Sequence, residues 1–470
     1  MSKKFSEKIV DVLDYGVVAD GMEDNTRAIH EAIEACAEEG GGTVYFGPGR
    51  YLTGPINLKS NITLYVDEGA TVLFSRNFND YPLVETRRGG IHLYQCSPQI
   101  FGKDLCNVAI KGRGVFDGQG DAWRPVKRSK VSDEEWRRLL ESGRGVLDED
   151  GKIWWPTPNA LKGKKLVEKL LRSGKKPTKE DCESVREYFR PQLVQFYNCK
   201  NIVLEGPTFR NSPQWNTHLL YSENIRVESV TFLNPWNAAN GDGLDIDSCR
   251  NVLVRNCYFD VGDDCLCLKS GKDEEGRRIG RPMENVTVMN CTMRRGHGGV
   301  VIGSEMSGGV RNITVKNCVF DGTDRGLRFK TQRGRGGVVE NVTIENITMK
   351  NIKRQAITFN MFYHNLPPEP VSKRTPIFRN FRISNIVCEG AARAIEILGL
   401  PEMPVEGIVF ENIRISAEKG IYLSNCRKVK LLKVDVETKD AQPLECVNNV
   451  EDLELIEFNG RTVGVEKAKV

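Results

Sequence analysis

Asn251-Val252-Leu253-Val254-Arg255-Asn256-Cys257 returns 34 residues later as Asn285-Val286-Thr287-Val288-Met289-Asn290-Cys291, and 27 residues after that as Asn312-Ile313-Thr314-Val315-Lys316-Asn317-Cys318. Each copy alternates apolar and polar residues with period two, the pattern of a strand that turns one face inward. The same opening recurs at Asn107, Asn201, Asn224, Asn341 and Asn380. From Asn201 onward the successive intervals are 23, 27, 34, 27, 29 and 39 residues, the spacing of solenoid coils. A second asparagine follows five places along at Asn256, Asn290, Asn317, Asn346 and Asn385. Stacked asparagines at a turn bond to each other and to the backbone, so both series are expected to be structural. The Asn-x-Thr triplets at Asn285, Asn312, Asn341 and Asn346 belong to this pattern, not to glycosylation.

An elongated repeat can absorb 470 residues without dividing into domains. Hydrophobic content of 39%, 45 glycines and 8% aromatic residues suit a turn-rich β protein better than a helical one. A net charge of +4 gives no reason to expect nucleic acid or a membrane surface as partner. Charges at Lys3, Lys4, Glu7, Lys8, Asp11 and Asp14 leave no apolar core for a secretory signal within Met1–Tyr15. No stretch approaches the roughly 20 apolar residues of a membrane span. With Met1 as the natural start, the expected location is cytoplasmic. Fourteen cysteines without a CxxC pair argue against a zinc site or a disulfide framework. Cys257, Cys291 and Cys318 share one register, which predicts a buried ladder of reduced thiols.

Residues 24–37 read as a helix, with N-cap oxygens at Asp24, Asn25 and Thr26 and one apolar face of Ala28, Ile29, Ala32, Ile33 and Cys36. Gly40-Gly41-Gly42 ends it. A phosphate loop would need the reverse order, strand before and helix after. Placed before a run of strands, the helix is suited to cover the first coil of a solenoid. The stretch Asp14-Tyr15-Gly16, Asp20-Gly21, Asp24-Asn25-Thr26 and Gly41-Gly42-Thr43-Val44-Tyr45-Phe46 resembles the opening of the pectin-degrading right-handed parallel β-helix proteins. That resemblance implies a single-stranded right-handed parallel β-helix, all-β and pectate-lyase-like, as one domain over residues 1–470. Between Trp123 and Arg190 the alternation stops. Ser132-Asp133-Glu134-Glu135 is a capping box, and Thr178 is placed to cap a helix over Asp181–Phe189. Residues 123–190 therefore read as a partly helical excursion from one coil, either padding or a wall at one end of a substrate groove.

Four polar clusters punctuate the repeat: Asn240-Gly241-Asp242-Gly243, Gly262-Asp263-Asp264, Gly296-His297-Gly298 and Arg328-Phe329-Lys330. Neighbours on a strand face opposite ways, so Asp263 and Asp264 can share a site only if the backbone bends, and Gly262 is placed to permit it. Arg328 and Lys330, two apart, share a face. Above three carboxylates they suit an anionic substrate, Arg by its fork and Lys as a point charge. Three acids with no Ser-His or Cys-His pair suit glycoside hydrolysis, in which one carboxylic acid protonates the leaving oxygen and another activates water.

In this order the clusters resemble the signature of the polygalacturonase family of glycoside hydrolases, family 28, and are most like the bacterial exopolygalacturonases. The family pattern is Asn-Thr-Asp, Gly-Asp-Asp or Gln-Asp-Asp, Gly-His-Gly or Ser-His-Gly, and Arg-Ile-Lys. The resemblance implies Asp263 as general acid, with Asp242 and Asp264 positioning and deprotonating water and His297 orienting the acid. Arg328 and Lys330 would hold galacturonate carboxylates, Asn240 would bind substrate, and Tyr363 stands where the family often lines its site with a tyrosine, core packing being the other reading. It implies no metal and no cofactor. Gly241 in place of threonine and Phe329 in place of isoleucine depart from the pattern and are expected to reshape the floor of the site without removing a reacting group.

The expected activity is hydrolysis, with inversion, of α-1,4-linked galacturonic acid in an oligogalacturonide substrate, releasing galacturonate from a chain end. Endo action, sister hydrolases on rhamnogalacturonan or xylogalacturonan, a pectate lyase and a non-catalytic sugar-binding spike are the competing readings. Neither nucleic acid nor a membrane is an expected partner, and a homo-oligomer is compatible with the sequence.

Overall fold

The computed structural model describes residues 8–439 and 442–461. Residues 1–7, which carry part of the no-signal expectation, and most of the polar tail after Asn459 lie outside the described residues. The described strands form a parallel β-helix, and their contacts gather into two compact units. One comprises the chain to Arg88, His92–Asp245 and Asp260–Asp263; the other comprises Gly89–Ile91, Ile246–Phe259 and the chain from Asp264.

In the first unit three parallel ladders coexist. One runs through Ile9–Asp11, Gly42–Phe46, Ile62–Val66, Cys106–Lys111, Lys200–Glu205 and Glu223–Glu228. The second runs from Asp20–Asp24 to Thr231–Leu233 and the third from Ile56–Asn57 to Thr217–Leu220. Equivalent side chains therefore stack on one another: Phe116, Phe209 and Phe232 follow at ring separations of 5.4 and 6.1 Å. In the second unit the ladder that matters for function is Asp264–Lys269, Gly298–Ile302, Leu327–Lys330, Ile357–Asn360 and onward.

The asparagine ladders are present as expected, and the cause is local. Asn107, Asn201, Asn224, Asn251, Asn285, Asn312, Asn341 and Asn380 all have φ between 56° and 59°. That left-handed conformation costs most residues roughly 1–2 kcal/mol but is tolerated by asparagine. Each side chain then bonds to the next coil, as in Asn312 Nδ2 to Asn285 Oδ1 at 3.2 Å and Asn341 Nδ2 to Asn312 Oδ1 at 3.3 Å. The second series does the same, as in Asn317 to Asn290 and Asn346 to Asn317. The thiol ladder is also present. Cys257, Cys291 and Cys318 are buried and free. The hydrogen bond that the Cys291 thiol donates to Cys257, together with burial, pushes it up to about 12, so it stays protonated at neutral pH.

Helix α1 spans Thr26–Glu38 and buries Ile29, Ala32, Ile33 and Cys36 against the first coil, while Ala28 is only partly covered. Asn25 makes no side-chain cap; Asp24 Oδ1 instead accepts from the Thr26 amide at 2.9 Å. The inserted segment contains α2 (Asp133–Glu141), α3 (Pro158–Arg172) and α4 (Lys179–Ser184), with a small antiparallel sheet of Val126–Lys127, Val146–Leu147 and Ile153–Trp155. Both capping boxes form, Ser132 with Glu135 and Thr178 with Asp181. Two differences from expectation stand out. The helix capped by Thr178 stops at Ser184 instead of reaching Phe189, and α3, with Pro158 at its first position and Thr157 Oγ1 accepting from the Ala160 amide at 3.1 Å, is a further helix outside the expectation. The insertion packs Val167, Cys182, Val185 and Phe189 against Leu83 and Leu93 of a two-stranded sheet, Leu83–Arg88 with Ile91–Cys96. Among the described residues no helix is long and apolar enough to cross a membrane.

Candidate active site

Asp242 ends a loop that begins at Asn234. Asn234 Nδ2 donates to the Gly241 carbonyl at 3.1 Å and its Oδ1 accepts from the Ser212 amide at 2.9 Å. Arg190, at the end of the insertion, clamps the same loop: it donates to the Pro213 and Ala239 carbonyls at 2.8 and 2.9 Å and to Asn240 Oδ1 at 2.9 Å. Burial lowers its guanidinium to about 9, still charged at neutral pH. Asn240, expected to bind substrate, is a left-handed turn residue whose side-chain oxygen is committed to Arg190. Only its exposed amide remains for a ligand. Gly241 has no room for the family's threonine, since a Cβ there would stand 2.6 Å from the Ala238 Cβ.

The chain bends at Gly262–Asp263 and enters the strand Asp264–Lys269, whose six residues are all buried. Gly262 stands at the expected bend and has a second reason to be glycine. It is not among the positive-φ residues, and a Cβ on it would lie 2.5 Å from the Pro235 carbonyl oxygen and 2.9 Å from that of Ala238. Close backbone approach, not a special φ, excludes other residues. Within the first unit a carboxylate oxygen of Asp242 and one of Asp263 lie within 4.8 Å of each other, and Asp264 follows Asp263 directly in the chain. Asp242 is 3% exposed and Asp264 1%, whereas Asp263 is half-buried and the most accessible of the three.

The two cations reach Asp264 directly. Arg328 Nη1 donates to Asp264 Oδ1 at 3.0 Å and Lys330 Nζ to Oδ2 at 2.7 Å. Burial works to raise the Asp264 carboxyl, but Lys330 and then Arg328 outweigh it and hold it far below the usual carboxylate range. Lys330 is the mirror case: burial is the largest influence and lowers it, but Asp264, helped by Cys267 and Tyr363, leaves the ammonium raised. Asp264 is thus ionised at neutral pH and does not start as the acid. Two positive charges on Asp264 oppose the binding of a metal ion to its carboxylate.

His297 is half-buried and precedes Gly298, the ladder partner of Asp264. A Cβ at Gly298 would stand 2.6 Å from Val301 Cγ2, so the strand has no room for a side chain there. Tyr363 is 40% exposed, which removes the core-packing reading. Its ring centre lies 5.2 Å from Lys330 Nζ and 5.9 Å from the Arg328 guanidinium. Phe329 corrects an expectation: it is fully buried, 4.5 Å from Phe359 ring to ring, and faces the core instead of the floor of the site.

Three contributors were not foreseen. Arg190 is one, in the Phe189-Arg190-Pro191 run. The others are Lys269 and Glu305, paired at 3.2 Å behind Lys330. Burial would raise the Glu305 carboxyl, yet Lys269, Lys330 and Arg335 bring it down to about 2. A lysine closing the buried run Cys265-Leu266-Cys267-Leu268 was the available signal for Lys269.

A profile described as glycosyl hydrolases family 28 matches residues 127–439, and one described as rhamnogalacturonase A/epimerase, pectate lyase-like, matches residues 9–130. The chain belongs to glycosyl hydrolase family 28. A solved structure similar to it is a hyperthermoactive exopolygalacturonase from Thermotoga maritima, 32% identical, covering 98% of this chain and 94% of that one with a TM-score of 0.77. A probable polygalacturonase of Vitis vinifera is 28% identical over 86% of this chain and 73% of its own length. An exo-poly-alpha-D-galacturonosidase of Dickeya chrysanthemi is 28% identical over 89% of this chain and 69% of its own. The family 28 profile spans all four polar clusters, from Asn240 to Lys330.

Proposed function

We propose that this family 28 chain hydrolyses α-1,4-linked galacturonan from a chain end, with inversion, releasing galacturonate. The observation that carries the reading is Asp264, next in the chain to Asp263, held ionised by Arg328 and Lys330. Asp263, the most accessible acid, protonates the leaving oxygen. Asp242 and Asp264 orient the attacking water and take its proton, and His297 orients Asp263. Both oxygens of Asp264 are tied to cations, which makes it a poor nucleophile and favours water as the attacking group. Arg328 by its fork and Lys330 by its ammonium suit a substrate carboxylate, with Tyr363 beside them.

Exo action draws support from the exo-acting relatives and from the insertion, whose last residue Arg190 grips the Asp242 loop. The rhamnogalacturonase-type match ends before the site, so it does not favour a sister substrate. The cytoplasmic location belongs to the proposal as well, with cell fractionation as its check. Digestion of defined tri- to hexagalacturonates decides the main points. Galacturonate as the sole early product, its first anomer inverted by proton NMR and no ultraviolet-absorbing unsaturated sugar, is the expected result. A ladder of mixed oligomers excludes exo action, and an unsaturated product excludes hydrolysis. Asp263→Asn is expected to lower kcat by about 10²–10⁴-fold, the usual worth of a general acid.

A further inference from the structure

Within the first unit, α2 and the small antiparallel sheet of the insertion face the loop segment Pro235-Trp236-Asn237 across a pocket of about 890 Å³. Its lining joins aromatic surface, Trp154 and Trp236, to three guanidinium groups, Arg76, Arg124 and Arg144. Trp236 is 42% exposed, one of few large apolar side chains left in the open, and Lys130 Nζ stands 5.2 Å from its ring centre. Gly145 lets the chain lie flat on Trp154, since a Cβ there would be 2.4 Å from the indole. The Trp154 indole N–H donates to the Arg144 carbonyl at 3.2 Å. This arrangement fixes the backbone of Arg144 while its side chain is exposed.

The charge balance of the pocket is positive. Arg76 is matched by Asp121, through contacts of 3.2 and 2.6 Å. Glu135 is engaged by the Ser132 amide at 2.8 Å and hydroxyl at 2.9 Å in the capping box of α2. Arg144 makes no ion pair among the described residues, and Arg124 donates only to neutral oxygens, those of Ser212 and Asn211. A flat indole beside a free guanidinium suits a ligand with an apolar C–H face and a carboxylate on one ring. A neutral sugar would leave the charge unused, and a fatty chain would leave it desolvated.

We propose that this pocket is a second, non-catalytic binding site for uronate oligosaccharide, with Trp236 stacking a sugar ring and Arg144 pairing its carboxylate. The ligand class rests on the proposed substrate of the catalytic site. Trp236 and Asn237 continue directly into Ala238, which packs on Gly241 and Gly262. An occupant therefore touches the loop that carries Asp242.

Titration calorimetry of the Asp263→Asn protein with tetragalacturonate tests this. The expected result is two binding events. Trp236→Ala added to that variant removes one, and Arg144→Gln weakens the same one at least tenfold. Both side chains are exposed, so the fold should survive, and a neutral maltotetraose control shows no second event. One event from the outset, or two that persist in both variants, overturns the second site and leaves the catalytic reading standing. No binding of tetragalacturonate at all overturns both. An increase in KM for digalacturonate with Trp236→Ala in the active enzyme also overturns it, by placing Trp236 within the catalytic site.

Discussion

Lys330 Nζ lies 2.7 Å from Asp264 Oδ2, and both side chains are buried. The strand alternation that places Lys330 beside Arg328, on the opposite face from the buried Leu327 and Phe329, supplies the cation. The bend at Gly262–Asp263 turns the acid to meet it. This contact helps hold Asp264 ionised and joins two clusters 66 residues apart.

Replacing Lys330 with Met is expected to raise KM for oligogalacturonate at least tenfold, through loss of a charge-assisted contact worth about 1.5–3 kcal/mol. Asp264 also loses the cation that lowers its carboxyl most. The acidic limb of the kcat–pH profile should therefore move to higher pH, while Lys330→Arg keeps the limb near its original place.

The same pair predicts how stability depends on pH. The Asp264 carboxyl is depressed, so its contribution is present above the ordinary value of about 4 and is lost as pH falls through the lower, folded one. The Lys330 ammonium is raised, so its contribution is present below the ordinary value of about 10.4 and is lost as pH rises past the folded one. Melting temperature against pH should show a plateau between these limits. Asp264→Ala, which strands two largely buried cations, should cost about 3–5 kcal/mol on that plateau.

Gly241→Thr restores the family residue yet is expected to destabilise by about 1–3 kcal/mol, because Ala238 fills the space. Ala238→Gly in the same chain should return part of the loss. Urea midpoints for the four proteins of this cycle measure the coupling, and simple additivity would rule out the steric account.

Arg190→Met removes three donated bonds and leaves the Pro213, Ala239 and Asn240 oxygens without them. The expected effect is at least a tenfold fall in kcat with a small change in KM, since Arg190 positions the Asp242 loop without a part in the proposed chemistry. Arg190→Lys should recover some of the activity.

Asn312→Ala is expected to cost about 1–2 kcal/mol, from a left-handed backbone and two ladder bonds. Asn312→Gly should cost less, because glycine accepts the backbone and loses only the bonds. Chemical unfolding separates the two.

Elements with a local cause are legible in the amino-acid order alone. The asparagines mark left-handed turns because few other residues adopt them, and Ser132 and Thr178 announce helices by their own hydrogen bonds. The hairpin around Gly89-Gly90 was not expected, although a two-residue glycine turn between apolar runs is a hairpin signal. Helix α3 has a start signal in Thr157-Pro158, but Lys162, Lys164, Lys165 and Lys169 dilute the spacing of Leu166, Val167 and Leu170 that would have confirmed it.

By itself the sequence determined the coil repeat, its turns and the four polar clusters, because period and turn chemistry act over a few residues. Only the tertiary structure decided that Gly262 serves a close approach to Pro235 and Ala238, that Phe329 faces inward, and that Arg190 and Lys269 stand behind the site. It also decided that Arg328 and Lys330 meet on Asp264. These are relations between coils, set by which side chains stacking brings within hydrogen-bond reach, and spacing along one chain does not contain them.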